Sequence, residues 1–130
     1  MTDPVWILPE VVIAVHQMLI AEHGGSLGIR DRGLLESALN RPRQRLSYGN
    51  DSSMLDLAAS YSYGLAQNHP FVDGNRGVAL TTAGVFLELN GFSLDAKEAD
   101  ASVIFEQLAA GTLTEERLSK WFEDSSIPNA

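Results

Sequence analysis

Residues 75–89 constrain the fold more than any other segment. Read at helical periodicity, they place Val78, Leu80, Ala83, Val85, Phe86, Leu87 and Leu89 on nearly every side. A helix that is apolar all round belongs in the middle of a domain, so the rest of the chain has to wall it in. The other periodic segments supply such walls. Residues 8–22 read as a first helix, with Pro9 in its first turn, Val11, Val12, Val15, Met18 and Leu19 as its apolar side, and Gly24-Gly25 at its end. Asp31 is expected to cap a short second helix over residues 32–39, which Pro42 stops. Residues 41–51 are polar, carry Gly49-Asn50, and are expected to form an ordered loop or a short hairpin.

Ser52 or Ser53 caps a third helix that runs to about Asn68. Its small residues Ala58, Ala59, Ser62 and Ala66 permit close helix approach. Asn90-Gly91 closes the central helix in left-handed fashion. Two amphipathic helices follow, over residues 96–109 and 114–123, the second capped by Thr112 or Thr114. The tail from Ser125 is expected to fray. Period-two alternation is limited to scraps near Leu46 and Phe92. The class is all-α: one compact domain over residues 1–130, a bundle of about six helices around a central buried one.

Composition narrows the chemistry. There is no cysteine, which removes disulfides and thiolate metal sites. The formal charge of −8 argues against a nonspecific nucleic-acid surface, so an anionic substrate needs a local basic pocket. Residues 1–4 lack the basic start of a signal peptide, and the apolar run over 11–20 is too short to span a bilayer. The expected location is cytoplasmic, with no membrane and no direct nucleic-acid partner. Six of the nine basic residues are Arg30, Arg32, Arg41, Arg43, Arg45 and Arg76, the residue type suited to bidentate phosphate contact.

Residues 69–75, His-Pro-Phe-Val-Asp-Gly-Asn, join the third helix to the central one. His69 follows a helix end, so it reads either as a base facing a cleft or as a histidine at a helix C-terminus. Pro70 forbids helical continuation, and Phe71 anchors the loop in the core. Asp73-Gly74-Asn75 reads as turn chemistry with an Asn cap, or as an anion site. In the second reading the free amides of the helix start face a phosphate, Gly74 lets it approach, and Asp73 holds Mg²⁺. Generic physics leaves both readings open. His16 and His23 read as surface residues, and Trp6 and Trp121 as packing residues.

The order of these residues resembles the signature of the Fic/Doc (Fido) family, His-x-Phe-x-Asp/Glu-Gly/Ala-Asn followed by Gly or Lys and then Arg. The stretches 28–39 and 83–91 resemble the death-on-curing (Doc) branch, and the likeness spans most of residues 8–122. The resemblance implies transfer from ATP to a protein hydroxyl. His69 would be the base and Asp73 the Mg²⁺ ligand. Asn75 and the backbone amides from Gly74 onward would form the anion hole, with Arg76 and Gly77 also at the phosphates. Phe71 would be structural. The segment 41–50, with Arg41, Arg43 and Arg45, would be the flap that positions the target. Doc proteins phosphorylate a threonine of elongation factor Tu and stop translation, under control of a cognate antitoxin that folds onto the toxin; the groove expected here involves the first helix and its neighbours. Most Fic relatives transfer AMP.

One position departs from the pattern. Doc-like sequences read Lys-Arg-Thr after the asparagine, and this chain reads Arg76-Gly77-Val78. The arginine that grips the phosphates falls on a residue with no side chain. One helical step rotates direction by about 100°, so Arg76 does not simply take over. Residues 119–124 resemble an inhibitory Fic helix only faintly and read as a plain terminal helix. Three functions follow: a phosphate-transferring toxin, an AMP-transferring enzyme, and a Fic-fold binding module that transfers nothing.

Overall fold

The structure, a computed structural model, describes residues 3–48 and 51–129. Six helices and two three-residue strands follow in the order α1 (Pro9–His23), α2 (Arg32–Tyr48), α3 (Met54–Asn68), α4 (Asn75–Leu89), β1 (Phe92–Leu94), α5 (Glu98–Ala109), α6 (Glu115–Ser125) and β2 (Ser126–Pro128). The fold class is all-α, as the periodicity implies. Local signals set most ends. Pro9 opens α1. The Asp31 carboxylate accepts from the Leu34 amide at 2.9 Å. Ser53 and Asp56 close a reciprocal capping box on α3. Thr114, not Thr112, caps α6.

Helix α4 lies against both α1 and α3. Val78, Ala79, Ala83, Phe86 and Leu87 are buried on it, the last four with no exposed surface. Phe86 packs on Tyr61 of α3 and on Trp6. The burial is not complete, however. Leu80, Thr81, Gly84, Val85 and Glu88 line an apolar cleft of about 690 Å³ against Leu94 and α5, and Leu89 is 51% exposed. The central helix therefore keeps one open side.

Helix α2 corrects the expected boundary. It does not stop at Pro42 but runs to Tyr48 with the proline inside it. An interior proline forfeits one backbone hydrogen bond. Tertiary contacts offset this. Pro42 is itself buried, Leu46 packs against the core, and Arg41 and Arg45 both bind the Glu115 carboxylate on α6. Gly64 permits the close approach of α2 to α3, since a Cβ there would lie 3.3 Å from the Ala38 Cα. The loop or hairpin expected over residues 41–51 is thus helix as far as Tyr48, while its turn, Gly49-Asn50, lies outside the described residues.

The C-terminal expectation also fails. Instead of fraying, Ser126–Pro128 pairs antiparallel with Phe92–Leu94, in register Phe92↔Pro128. Asn129 continues the tie by donating to the Gly91 carbonyl at 3.0 Å. The period-two scrap near Phe92 is a strand because a distant segment supplies its partner. The scrap near Leu46 has none and is helical. Among the described residues no helix is long and apolar enough to cross a membrane.

Candidate active site

His69 and residues 72–77 line one wall of a second cleft, of about 680 Å³, with Leu19, Ile20 and His23 of α1 opposite. The loop is built by its own chemistry. Pro70 ends α3, and His69 before it takes a left-handed conformation (φ 47°), the one non-glycine residue with positive φ among the described residues. Phe71 is 1% exposed and pins the loop to the core. Asn75 then clips the turn shut: its Oδ1 accepts from the Phe71 amide at 2.9 Å and its Nδ2 donates to the Phe71 carbonyl at 2.9 Å. Gly74, at φ 78°, is the residue before α4, where an added Cβ would press on Ile20 Cδ1 at 3.3 Å.

This geometry leaves a specific set of groups free. The first paired amide of α4 is that of Val78, to the Gly74 carbonyl at 3.0 Å. The amides of Asn75, Arg76 and Gly77 precede it and have no intrahelical partner, the arrangement that suits an anion. Arg76 lines both clefts and makes no ion pair among the described residues. Gly77 sits where a Cβ would lie 3.3 Å from Leu19 Cδ1, the far end of a flexible side chain. His69 is exposed. Its Nδ1 lies 3.4 Å from Asn75 Nδ2, too long a contact to fix the tautomer.

Asp73 is the one carboxylate lining this cleft. Its Oδ1 accepts from the Gly74 amide at 3.0 Å and its Oδ2 from the Ser26 amide at 3.3 Å. Among the described residues no cluster of three His, Cys, Asp or Glu could cage a metal. A single held carboxylate beside open amides does fit Mg²⁺, which binds through one or two carboxylates, waters and substrate phosphates.

Four other arginines are committed elsewhere. Arg30 donates to the Asn68 and His69 carbonyls at 2.8 and 2.7 Å, satisfying the end of α3. Arg41 and Arg45 are held by Glu115, and Arg43 stacks over Trp6 at 5.2 Å. None of the three lines the cleft. The segment that does flank the motif is residues 24–31. Ile29 bridges Phe71, and the Gly28 and Pro70 carbonyls accept from the Val72 and Arg30 amides, respectively, across the gap. Sequence reading missed this segment. Its signal was Gly24, Gly25 and Gly28, all with positive φ. A Cβ on Gly25 would lie 2.7 Å from Asp73 Oδ2, so only glycine lets the loop come that close.

His16 is a second omission and a correction. It is not a surface residue: it is 2% exposed, stacked on Phe71 with centroids 4.2 Å apart and planes 14° from parallel. His23, by contrast, is exposed. The Gly28 amide donates to His16 Nε2 at 3.3 Å, an arrangement that calls for the proton of the neutral ring on Nδ1, which is buried and has no hydrogen-bond partner among the described residues. Burial lowers the His16 pKa below its ordinary value, and the nearby Asp73 charge only partly opposes this. The unfolded chain then binds the proton more readily than the folded one. His16 therefore contributes stability that is fully present above its ordinary pKa, about 6.5, and is lost as pH falls from there through its lowered folded value. Melting curves should show this acid loss, and His16→Gln should flatten it.

The Fic/DOC family matches residues 6–87. The chain belongs to that family. It is 35% identical over 99 residues to the protein kinase doc of Escherichia phage P1, covering 75% of this chain and 79% of the relative. It is 45% identical over 75 residues to the toxin Doc of Mycolicibacterium smegmatis, covering 56% of this chain and 57% of that one. Among solved structures, the N-terminal Fic domain of a VirB-translocated Bep effector protein from Bartonella quintana, with bound ADP, is similar at TM-score 0.47 and 21% identity. That match covers 72% of this chain and 48% of the other.

Proposed function

We propose that this protein is a Doc-type toxin that transfers the terminal phosphoryl group of ATP to a protein hydroxyl. The observation that carries the reading is the placement of an exposed His69, the held carboxylate of Asp73 and the open amides of Asn75, Arg76 and Gly77 on one cleft. The likeness to a protein kinase doc and a toxin Doc supports it. In this mechanism the amides and the Arg76 guanidinium bind phosphate oxygens. Asp73 would hold Mg²⁺, which when bound neutralises phosphate charge. His69 takes the proton of the acceptor hydroxyl as its oxygen bonds to the terminal phosphorus. The bond from that phosphorus to its bridging oxygen breaks and ADP leaves. Phosphoryl transfer asks for positioning and charge stabilisation more than covalent help, which a rigid turn and a helix start provide.

By family resemblance, the proposed acceptor is a threonine of elongation factor Tu, the proposed location is the cytoplasm, and the proposed control is a cognate antitoxin. The Gly77 substitution favours a second reading, a Fic-fold binding module without transfer, because it removes a cation from the cleft of an acidic protein. Incubation with Mg-ATP and elongation factor Tu, followed by intact-mass analysis, separates the outcomes. Gain of one phosphoryl group supports the proposal. Gain of AMP moves the chain to the nucleotidyl-transferring enzymes, and no gain supports the binding module.

A further inference from the structure

We infer that His16 is a positioning residue for the candidate site: through its ring face and its Nε2 acceptor it fixes the 24–31 loop against the 69–75 loop, and so sets where the Asp73 carboxylate stands. His16 reaches the two loops by different means. Its face lies on Phe71, the anchor of the motif. Its Nε2 holds the Gly28 amide. The Gly28 carbonyl in turn accepts from the Val72 amide at 3.0 Å, and Ser26, two residues earlier, donates its amide to Asp73. One imidazole on α1 thus orients both the residue before Asp73 and the amide that binds Asp73.

The chemistry explains why a histidine serves here. The position is buried against an aromatic ring, which favours a flat apolar side chain. The same position faces a backbone donor, and a buried donor left without an acceptor is costly. Neutral imidazole meets both demands, at the cost of a buried Nδ1–H that no described group accepts. Phenylalanine would keep the stack and lose the acceptor, while glutamine would lose the stack and keep an acceptor. The pair of substitutions therefore separates packing from loop positioning.

The test uses the full chain and does not depend on nucleotide binding. Amide hydrogen exchange in the apo protein is expected to accelerate at Ser26, Gly28 and Val72 in His16→Phe, and to return toward wild-type rates in His16→Gln. In the wild type, the ¹⁵N spectrum of the His16 ring is expected to show an unprotonated Nε2 and a protonated Nδ1. Either a proton on Nε2, or His16→Phe with unchanged exchange at Ser26 and Val72, would overturn the inference. If His16→Phe does not fold, the ring tautomer and the His16→Gln exchange rates still decide it, with exchange as fast as in an unstructured loop counting against. Where Mg-ATP binds, a further readout rests on the proposed function: His16→Phe should weaken it roughly threefold to tenfold, the worth of one neutral hydrogen bond, and His16→Gln by less. Absence of Mg-ATP binding by the wild type would overturn the proposed function and leave the exchange result standing.

Discussion

His69→Ala is expected to lower the rate of phosphoryl transfer by about 10²- to 10⁴-fold, the usual contribution of a positioned general base. The fold should hardly notice. His69 is exposed, its ring touches Asn75 only at the long limit of a hydrogen bond, and its backbone carbonyl, which Arg30 caps, survives the substitution. Relief of the left-handed conformation does not follow either, because alanine there is strained in the same way. Single-turnover transfer and a melting curve on the same preparation check this. Loss of activity with an unchanged melting temperature is the expected result. A parallel fall of both would mark His69 as a structural residue of the α3 terminus.

Gly77→Arg carries the second large effect. The wild-type cleft offers phosphate one guanidinium, Arg76, alongside the backbone amides. A charge-assisted hydrogen bond contributes about 1.5–3 kcal/mol, and each 1.4 kcal/mol is about tenfold in affinity. Restoring the family arginine should therefore tighten Mg-ATP binding by about ten- to a hundredfold, reduced by what Arg76 already supplies. The structure permits the substitution at small cost. The new Cβ would meet Leu19 Cδ1 at 3.3 Å, and the end of a leucine can give by the few tenths of an ångström required. Leaving glycine for arginine also removes a helix penalty of up to about 1 kcal/mol. Calorimetry on both proteins measures the difference. Equal affinities would mean that Arg76 already fills the missing role, and tighter binding without transfer would favour the binding module.

The fold was legible where local rules and burial pointed the same way. The apolar circumference of α4, the Ser53 cap and the Gly24 stop all lie in short stretches of sequence. The misses share one cause, partners distant in the chain. Pro42 is a helix breaker by local rule, yet Arg41 and Arg45 on either side of it reach Glu115 some 70 residues on. The tail beyond Ser125 carries no strand signal of its own and is ordered by Phe92–Leu94. The same limit governs the site. The loop 69–75 announces itself because its residues are consecutive. His16 and Ser26 reach it only through the approach of α1 and the 24–31 loop, and an isolated histidine in an apolar helix gives no hint of a stacked aromatic partner 55 positions away.

Whether residues 73–77 form a nucleotide-phosphate site is tested most directly by titrating the protein with Mg-ATP and following its backbone amides by NMR. Saturable shifts of the Gly74, Asn75, Arg76 and Gly77 amides are expected, accompanied by Ser26, whose amide holds Asp73, and largely lost in Asp73→Ala. Saturable shifts that leave these amides unmoved, or no shifts at any ATP concentration while the Gly77→Arg protein is equally silent, would contradict it.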